Sequence, residues 1–143
     1  MKASEPKTKE EFGKYYDLRW RILRKPWNQP RGSEKDELEG QGIHVMVTQG
    51  SKVIGAGRGH LNTADEAQIR YMAVDDGFQG RGIGSMILKR LEEKLKQRGA
   101  NHIVLNARES AVDFYKRHGY KAAGRAHTLF GSIPHLKMRK NLR

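Results

Sequence analysis

The chain has no cysteine. That absence removes disulfides, thiolate metal sites and a cysteine nucleophile together. No apolar run approaches the ~18 to 20 residues that a membrane-spanning helix needs. The opening Met1-Lys2-Ala3-Ser4-Glu5-Pro6-Lys7 lacks the apolar core of a secretion signal. A soluble, cytoplasmic protein is therefore expected. No H-E-x-x-H and no close His/Asp pair is present, so no metal is expected. Internal repeats and low-complexity tracts are also missing.

Acidic residues are scarce: 16 Asp and Glu stand against 28 Lys and Arg, a formal charge of +12. Such a surplus attracts acidic ligands and can bind nucleic acid without sequence preference. A solvated basic surface explains it equally well. The basic residues are spread along the chain and not gathered into one arm or recognition helix, so nucleic acid is not the expected partner. At 143 residues a single domain, 1–143, is expected, long enough to bury a core without disulfides.

Residues 9–25 read as a helix, with Phe12, Tyr15, Tyr16, Leu18, Ile22 and Leu23 on its apolar side and Pro26 ending it. Residues 28–42 are loop-like. Residues 43–48 and 52–60 form a β-hairpin around Gln49-Gly50-Ser51, and 67–74 is a central strand. A long amphipathic helix begins near Arg81, with Ile83, Ile87, Leu91 and Leu95 at four-residue steps, and stops at Gly99. Residues 102–105 are a short buried strand. Ser110 is the expected N-cap of a helix that runs to His118 and ends at Gly119. Residues 120–130 and 133–139 are two further strands, joined by Gly131-Ser132. The order predicts a mixed α/β fold with an antiparallel start and a strand–helix–strand unit in its middle.

The most informative stretch is Val74-Asp75-Asp76-Gly77-Phe78-Gln79-Gly80-Arg81-Gly82-Ile83-Gly84, a glycine-rich turn between a strand and a helix. Glycines let a ligand come close to the backbone, and the first helical N–H groups have no partners of their own. The helix dipole adds a preference for negative charge there, so a phosphate-bearing ligand is expected. A P-loop needs Lys-Ser or Lys-Thr after the glycines, and neither follows. The dinucleotide pattern G-x-G-x-x-G fails at Ser85, and Gly55-Ala56-Gly57-Arg58-Gly59 fails the same test at His60. Q-x-x-G-x-G does fit, as Gln79, Gly82 and Gly84 with Arg81 inside it. That pattern resembles the coenzyme A pyrophosphate loop of the GNAT superfamily of N-acetyltransferases.

The element order is similar to the GNAT fold over nearly the whole chain, a mixed central sheet with flanking helices. A second motif agrees: Ala111, Phe114, Tyr115, Gly119 and Tyr120 fit A-x-x-F-Y-x-x-x-G-[FY], which resembles the GNAT helix beside the coenzyme A thiol. The resemblance implies acetyl-CoA as cosubstrate, with no metal, and a primary amine as acceptor. It implies that Gln79, Gly80, Arg81, Gly82, Ile83, Gly84 and Ser85 hold the pyrophosphate, that main-chain groups of Met72, Ala73 and Val74 pair with the pantetheine arm, and that Asn106 and Phe114 also contact the cofactor. Tyr115 is implied as the acid for the leaving thiolate, a role that suits a hydroxyl with an ordinary pKa of about 10. Tyr115 packing under the loop with a satisfied hydroxyl is the plainer reading.

A third block, Ile133-Pro134-His135-Leu136-Lys137-Met138, together with Arg58, Arg70 and Leu105-Asn106-Ala107-Arg108, resembles the ElaA-like group, which tends to show I-P-H-x-x-M and L-H-A-Q. Here Asn106 replaces the His and Arg108 the Gln. Many GNAT enzymes carry a glutamate six residues before the position of Val74. Gln68 stands there and takes no proton, which leaves Glu66, His60, His135 or a water chain as the base. The loop from Trp27 to Glu39 sits where the family builds its acceptor wall, and Glu34, Asp36, Glu37 and Glu39 either meet a cationic amine or form a solvated face. Acceptor identity and oligomeric state, a homodimer included, stay open. Two other readings are a non-catalytic acyl-CoA sensor of the same fold and a basic nucleic-acid-binding domain.

Overall fold

Thr8 starts the first helix: its hydroxyl accepts from the Glu11 N–H, and the Glu11 carboxylate accepts from the Thr8 N–H. This reciprocal box satisfies two otherwise unpaired donors. From there α1 runs Lys9–Leu23 in the computed structural model, which describes residues 1–131 and 133–142. Ser132, expected in the last turn, lies outside the described residues.

A short strand precedes it, β1 (Lys2–Ser4), and the rest follow as β2 (Ile43–Gln49), β3 (Lys52–Leu61), β4 (Glu66–Val74), α2 (Ile83–Gln97), β5 (His102–Arg108), α3 (Val112–Arg117), β6 (Lys121–Leu129) and β7 (Ile133–Asn141). The loop after α1 carries two 3-10 turns, Lys25–Trp27 and Glu39–Gln41. The strands form one sheet in the order β1-β2-β3-β4-β5-β7-β6. Only β4 and β5 pair in parallel among the described strands; every other pair is antiparallel. The expected mixed α/β architecture is present. Among the described residues no helix is long and apolar enough to cross a membrane.

The helices cover both faces. α1 lays Tyr15 and Leu18 over Met46, Val53 and Ala56. On the other face, α2 buries Ile83, Ile87, Leu91 and Leu95 against Val45, Val47, Ile54, Ala67 and Ile69. Each such fully buried side chain contributes about 1.5–3 kcal/mol. The second glycine cluster makes this approach possible. A Cβ at Gly55 would stand 2.6 Å from Ile83 and one at Gly57 2.6 Å from Ile87, while one at Gly59 would stand 2.8 Å from Leu95. These alternate glycines form a flat floor under α2. Arg58, between two of them, points to the opposite face and is wholly buried.

Two irregularities in β4 position the site. Ala56 pairs with Ala73 and Arg58 with Arg70, so Gly57 alone faces both Tyr71 and Met72. β4 therefore carries one extra residue, a bulge, and Tyr71 takes the left-handed φ of 59° there. The bulge switches the alternation of side chains. Ala67 and Ile69 face α2; beyond the bulge Met72 and Val74 do so, while Tyr71 and Ala73 join Leu23 on the α1 face. In addition, β4 leaves its parallel neighbour early. Their pairing runs from Glu66↔His102 to Ile69↔Leu105 and stops. The β5-facing edge of residues 70–74 is left without strand partners.

Candidate active site

Two clefts open where β4 and β5 part, and they meet. The first, about 560 Å³, is bordered by Met72, Ala73, Val74, Gln79, Gly80, Gly82, Ile83, Gly84, Ser85, Phe114 and Tyr115. Apart from Tyr115, the expected acid, these are residues that the resemblance assigns to a coenzyme A site, and they come from β4, the glycine turn, α2 and α3. Two assigned residues stand apart. Arg81 is exposed, with its guanidinium 5.3 Å from the Phe78 ring centre. Asn106 borders the second cleft.

The turn is shaped for an anion. Gly80 and Gly82 have φ of 78° and 80°, conformations that only glycine adopts at little cost. Gly82 caps α2, which has no side-chain cap and no acidic residue in its first turn. The first turn of α2, at the positive end of the helix dipole and with its N–H groups uncapped by any side chain, borders the cleft. Helix α2 begins at Ile83, two residues after the expected start, because the left-handed Gly82 cannot be helical. Gly84 is needed for another reason: a Cβ there would stand 3.1 Å from the Phe114 ring. Across the cleft, the Nδ1–H of His118 donates to the Phe114 carbonyl at 2.8 Å, so its Nε2 accepts from the Ser85 hydroxyl at 2.8 Å. This bridge between α2 and α3 had no signal in the sequence beyond the two residue types.

The second cleft, about 310 Å³, lies between the α1 end, β4, β5 and β7, and Gln68, Arg70, Tyr71, Asn106, Arg108 and His135 line it along with Arg24. Leu23, Met72, Arg108, Ala111 and Tyr115 border both clefts. Tyr115 is 7% exposed, and its hydroxyl has no hydrogen-bond partner among the described residues. Burial pushes its pKa up, and the charge of Arg108 opposes that rise. By contrast, Tyr15 donates to the Gly57 carbonyl and Tyr120 to Glu92. The expected helix from Ser110 needs correction: a 3-10 turn, Glu109–Ala111, comes first, and α3 starts at Val112 with no side-chain cap.

Of the expected bases, only His135 borders the second cleft. Its Nδ1 lies 2.9 Å from the Ile133 carbonyl, a contact in which Nδ1–H is the donor. His60 is engaged in the interior, with Nδ1 3.2 Å from Arg58 and Nε2 3.0 Å from Asn62. Burial first, then the Arg58 charge, lowers its pKa. Glu66, at the far end of β4, pairs with His102 at 3.1 Å.

The acidic loop faces inward. Asp36 reaches Arg58 at 2.5 Å and Arg70 at 2.8 Å, while Glu39 reaches Arg19 at 2.9 Å and Arg58 at 2.5 Å. The Glu34 carbonyl accepts from Arg19, and the Glu34 carboxylate takes the Gly32 N–H. An Arg19–Glu39–Arg58–Asp36–Arg70 chain thus ends at the second cleft, which Arg70 borders, and Arg19, Arg24, Arg58 and Arg70 all lie within 5.5 Å of the Tyr71 ring centre. Asp36, Glu39 and Glu34 are committed to the protein, not offered to an amine. Glu37 is exposed.

The profile of the acetyltransferase (GNAT) family matches residues 12–120. The chain is 35% identical over 141 residues to the uncharacterized N-acetyltransferase YjcF of Bacillus subtilis, covering 99% of this chain and 100% of that one. An aminoglycoside 6'-N-acetyltransferase solved with coenzyme A superposes with a TM-score of 0.85 at 17% identity, over 100% of this chain and 98% of that one. Escherichia coli ElaA gives 0.79 at 13% identity, over 98% and 97%. At those identities the two structures speak for the fold alone. The family match and the full-length relative, laid over this pair of clefts, show that the chain belongs to the acetyltransferase (GNAT) family.

Proposed function

We propose that the protein transfers the acetyl group of acetyl-CoA to a primary amine by direct attack in a ternary complex. The observation that carries this reading is that Tyr115 borders both clefts, one built for an anionic cofactor and one lined by polar side chains. The backbone of residues 79–85 holds the pyrophosphate at the start of α2. The unpaired edge of Met72, Ala73 and Val74 takes the pantetheine arm as a strand would, and Phe114 closes over it.

The neutral amine attacks the thioester carbonyl, the C–N bond forms and the C–S bond breaks. A main-chain N–H of 72–74 stabilises the developing oxyanion. Tyr115 gives its proton to the thiolate, and the amine's surplus proton leaves to His135 or solvent. Proximity supplies much of the rate. A single catalytic domain acting in the cytoplasm belongs to the same proposal.

The reading is tested by titrating acetyl-CoA into the protein, with ATP and NAD as controls, and then following thiol release with amines. Selective micromolar binding and amine-dependent release are expected. Binding without release across a broad amine panel would instead favour a cofactor-holding module, which Gln68 on β4 makes the second reading.

A further inference from the structure

Arginines in this protein fall into two groups. Arg19 and Arg58, both wholly buried, are met by carboxylates at 2.5–2.9 Å. Arg70 is met by Asp36. Arg24 and Arg108 have no carboxylate within 4.0 Å among the described residues, yet Arg24 is only 7% exposed and Arg108 is partly buried. Arg24 donates to the Ser33 and Leu23 carbonyls, which fix its position without neutralising it. Arg108 lies with its guanidinium 4.7 Å from the Trp27 ring centre. Burial, and then repulsion from a neighbouring arginine, lowers the pKa of Arg108, whose neighbour is Arg24. For Arg24, burial also leads and the Arg70 charge acts the same way.

Like charges left together in a low-dielectric wall are costly unless an anion joins them. The cleft they share with Arg70 contains no Asp or Glu. The phosphate cradle of the first cleft is built from residues 79–85, and Arg24 does not border that cleft, although Arg108 borders both.

We propose that the acceptor is a small primary amine carrying an oxyanion, a carboxylate or a phosphate-type group, which Arg24 and Arg108 hold so that the amine faces Tyr115 and His135. This rests on the acetyl-transfer reading above. The cleft volume, about 310 Å³, is at the small end for ligand pockets, and its charge opposes polycations such as polyamines and aminoglycosides. Guanidinium groups match planar and tetrahedral oxyanions through paired N–H donors.

The test titrates β-alanine and O-phosphoethanolamine, against propylamine, ethanolamine and putrescine, into the protein with and without saturating coenzyme A. We expect at least one oxyanion-bearing amine to bind ~10-fold or more tighter than its counterpart without the oxyanion. The better of the two identifies the oxyanion. Arg24→Gln should abolish that preference and Arg24→Lys should restore part of it, with folding followed by circular dichroism and Arg108→Gln as the independent second variant. Equal binding, no binding of either oxyanion, tighter binding of putrescine, or a preference that survives both Gln variants overturns the inference. Coenzyme A binding in the same samples reports separately on the acetyl-transfer reading: its failure, with the amine preference intact, would overturn that reading and leave the oxyanion site.

Discussion

Arg108 opposes the effect of burial on Tyr115: the apolar surroundings push the hydroxyl pKa up, and the adjacent guanidinium pulls it back. A proton donor needs that compensation, because a phenol held too far above neutrality gives up its proton slowly. Tyr115→Phe is expected to lower kcat by roughly 10²-fold while acetyl-CoA affinity stays nearly the same. In the Tyr115→Phe background, Arg108→Gln should have no further effect on kcat, although it still raises KM for the amine. Additive losses in kcat would show that Arg108 does not act through Tyr115.

The glycine cradle can be tested apart from the chemistry. Nothing lies within 4 Å of a Cβ built at Gly82, but its φ is 80°. Gly82→Glu forces a side chain into a left-handed conformation at a cost of roughly 1–2 kcal/mol and brings a negative charge to the phosphate position. Calorimetry should report acetyl-CoA binding weakened by ~10-fold or more. Undiminished binding would mean that the phosphates lie elsewhere.

The floor beneath α2 makes a prediction about stability alone. At Gly57 an added methyl would meet Ile87 at 2.6 Å and the Met72 sulfur at 2.7 Å. Gly57→Ala should destabilise the fold by about 1–3 kcal/mol, which for a chain of this length lowers Tm by about 2–4 °C per kcal/mol. Gly13→Ala is the control, since it sits in α1 with open space around it and should be neutral or slightly stabilising. Equal melting temperatures for the Gly57 variant and the parent would contradict the tight packing.

Asp36 predicts the acid limit of the fold. Burial alone would raise its pKa, but hydrogen bonds and charge from Arg58, with Arg70 and the Leu38 N–H, hold it at about 2. A carboxylate depressed in the folded state adds stability above its unfolded pKa, and that gain is lost as pH falls through the folded one. Its contribution, of order 1–2 kcal/mol, should therefore be present at neutral pH and disappear between about pH 4 and pH 2. Asp36→Asn should be less stable than the parent in urea at pH 7, with the gap closing over that window. A gap independent of pH would assign the loss to packing.

How much of this was legible in the chain depends on where the determining partner lies. Helix α2 announced itself because Ile83, Ile87, Leu91 and Leu95 carry their periodicity locally, and all four are buried. The grouping of residues around the first cleft was legible for the same reason, since Gln79, Gly80, Gly82–Ser85 and Phe114–Tyr115 belong to short local motifs. Strand β5 was read as ending at Leu105 and continues to Arg108, because residues 106–108 pair with 135–137 of β7, which no local pattern reveals. Strand β1 is three residues long and found only through its pairing with β2.

The acidic loop was the larger surprise. On a helical wheel Arg19 looks like an ordinary solvated cation, and it is the most deeply buried polar group of α1. Without that fact, the carboxylates of residues 34–39 seem available to a substrate. The same distance effect hid Arg24 as a wall of the second cleft, since its neighbours Arg70 and Arg108 come from strands 46 or more positions along the chain.

The bulge in β4 has a consequence for how such a site can evolve. One extra residue at Tyr71–Met72 decides which side chains upstream and downstream face which helix. Substitutions at Gln68 or Asn106 would change the lining of the second cleft without touching the bulge. Deleting Tyr71 would instead remove the extra residue, leaving Met72 and Val74 facing α2 but taking from the α1 face the ring that Arg19, Arg24, Arg58 and Arg70 surround. A change of length at the bulge would therefore disturb the arginine cluster as well as the strand, whereas one in the loop after Leu61 would touch neither.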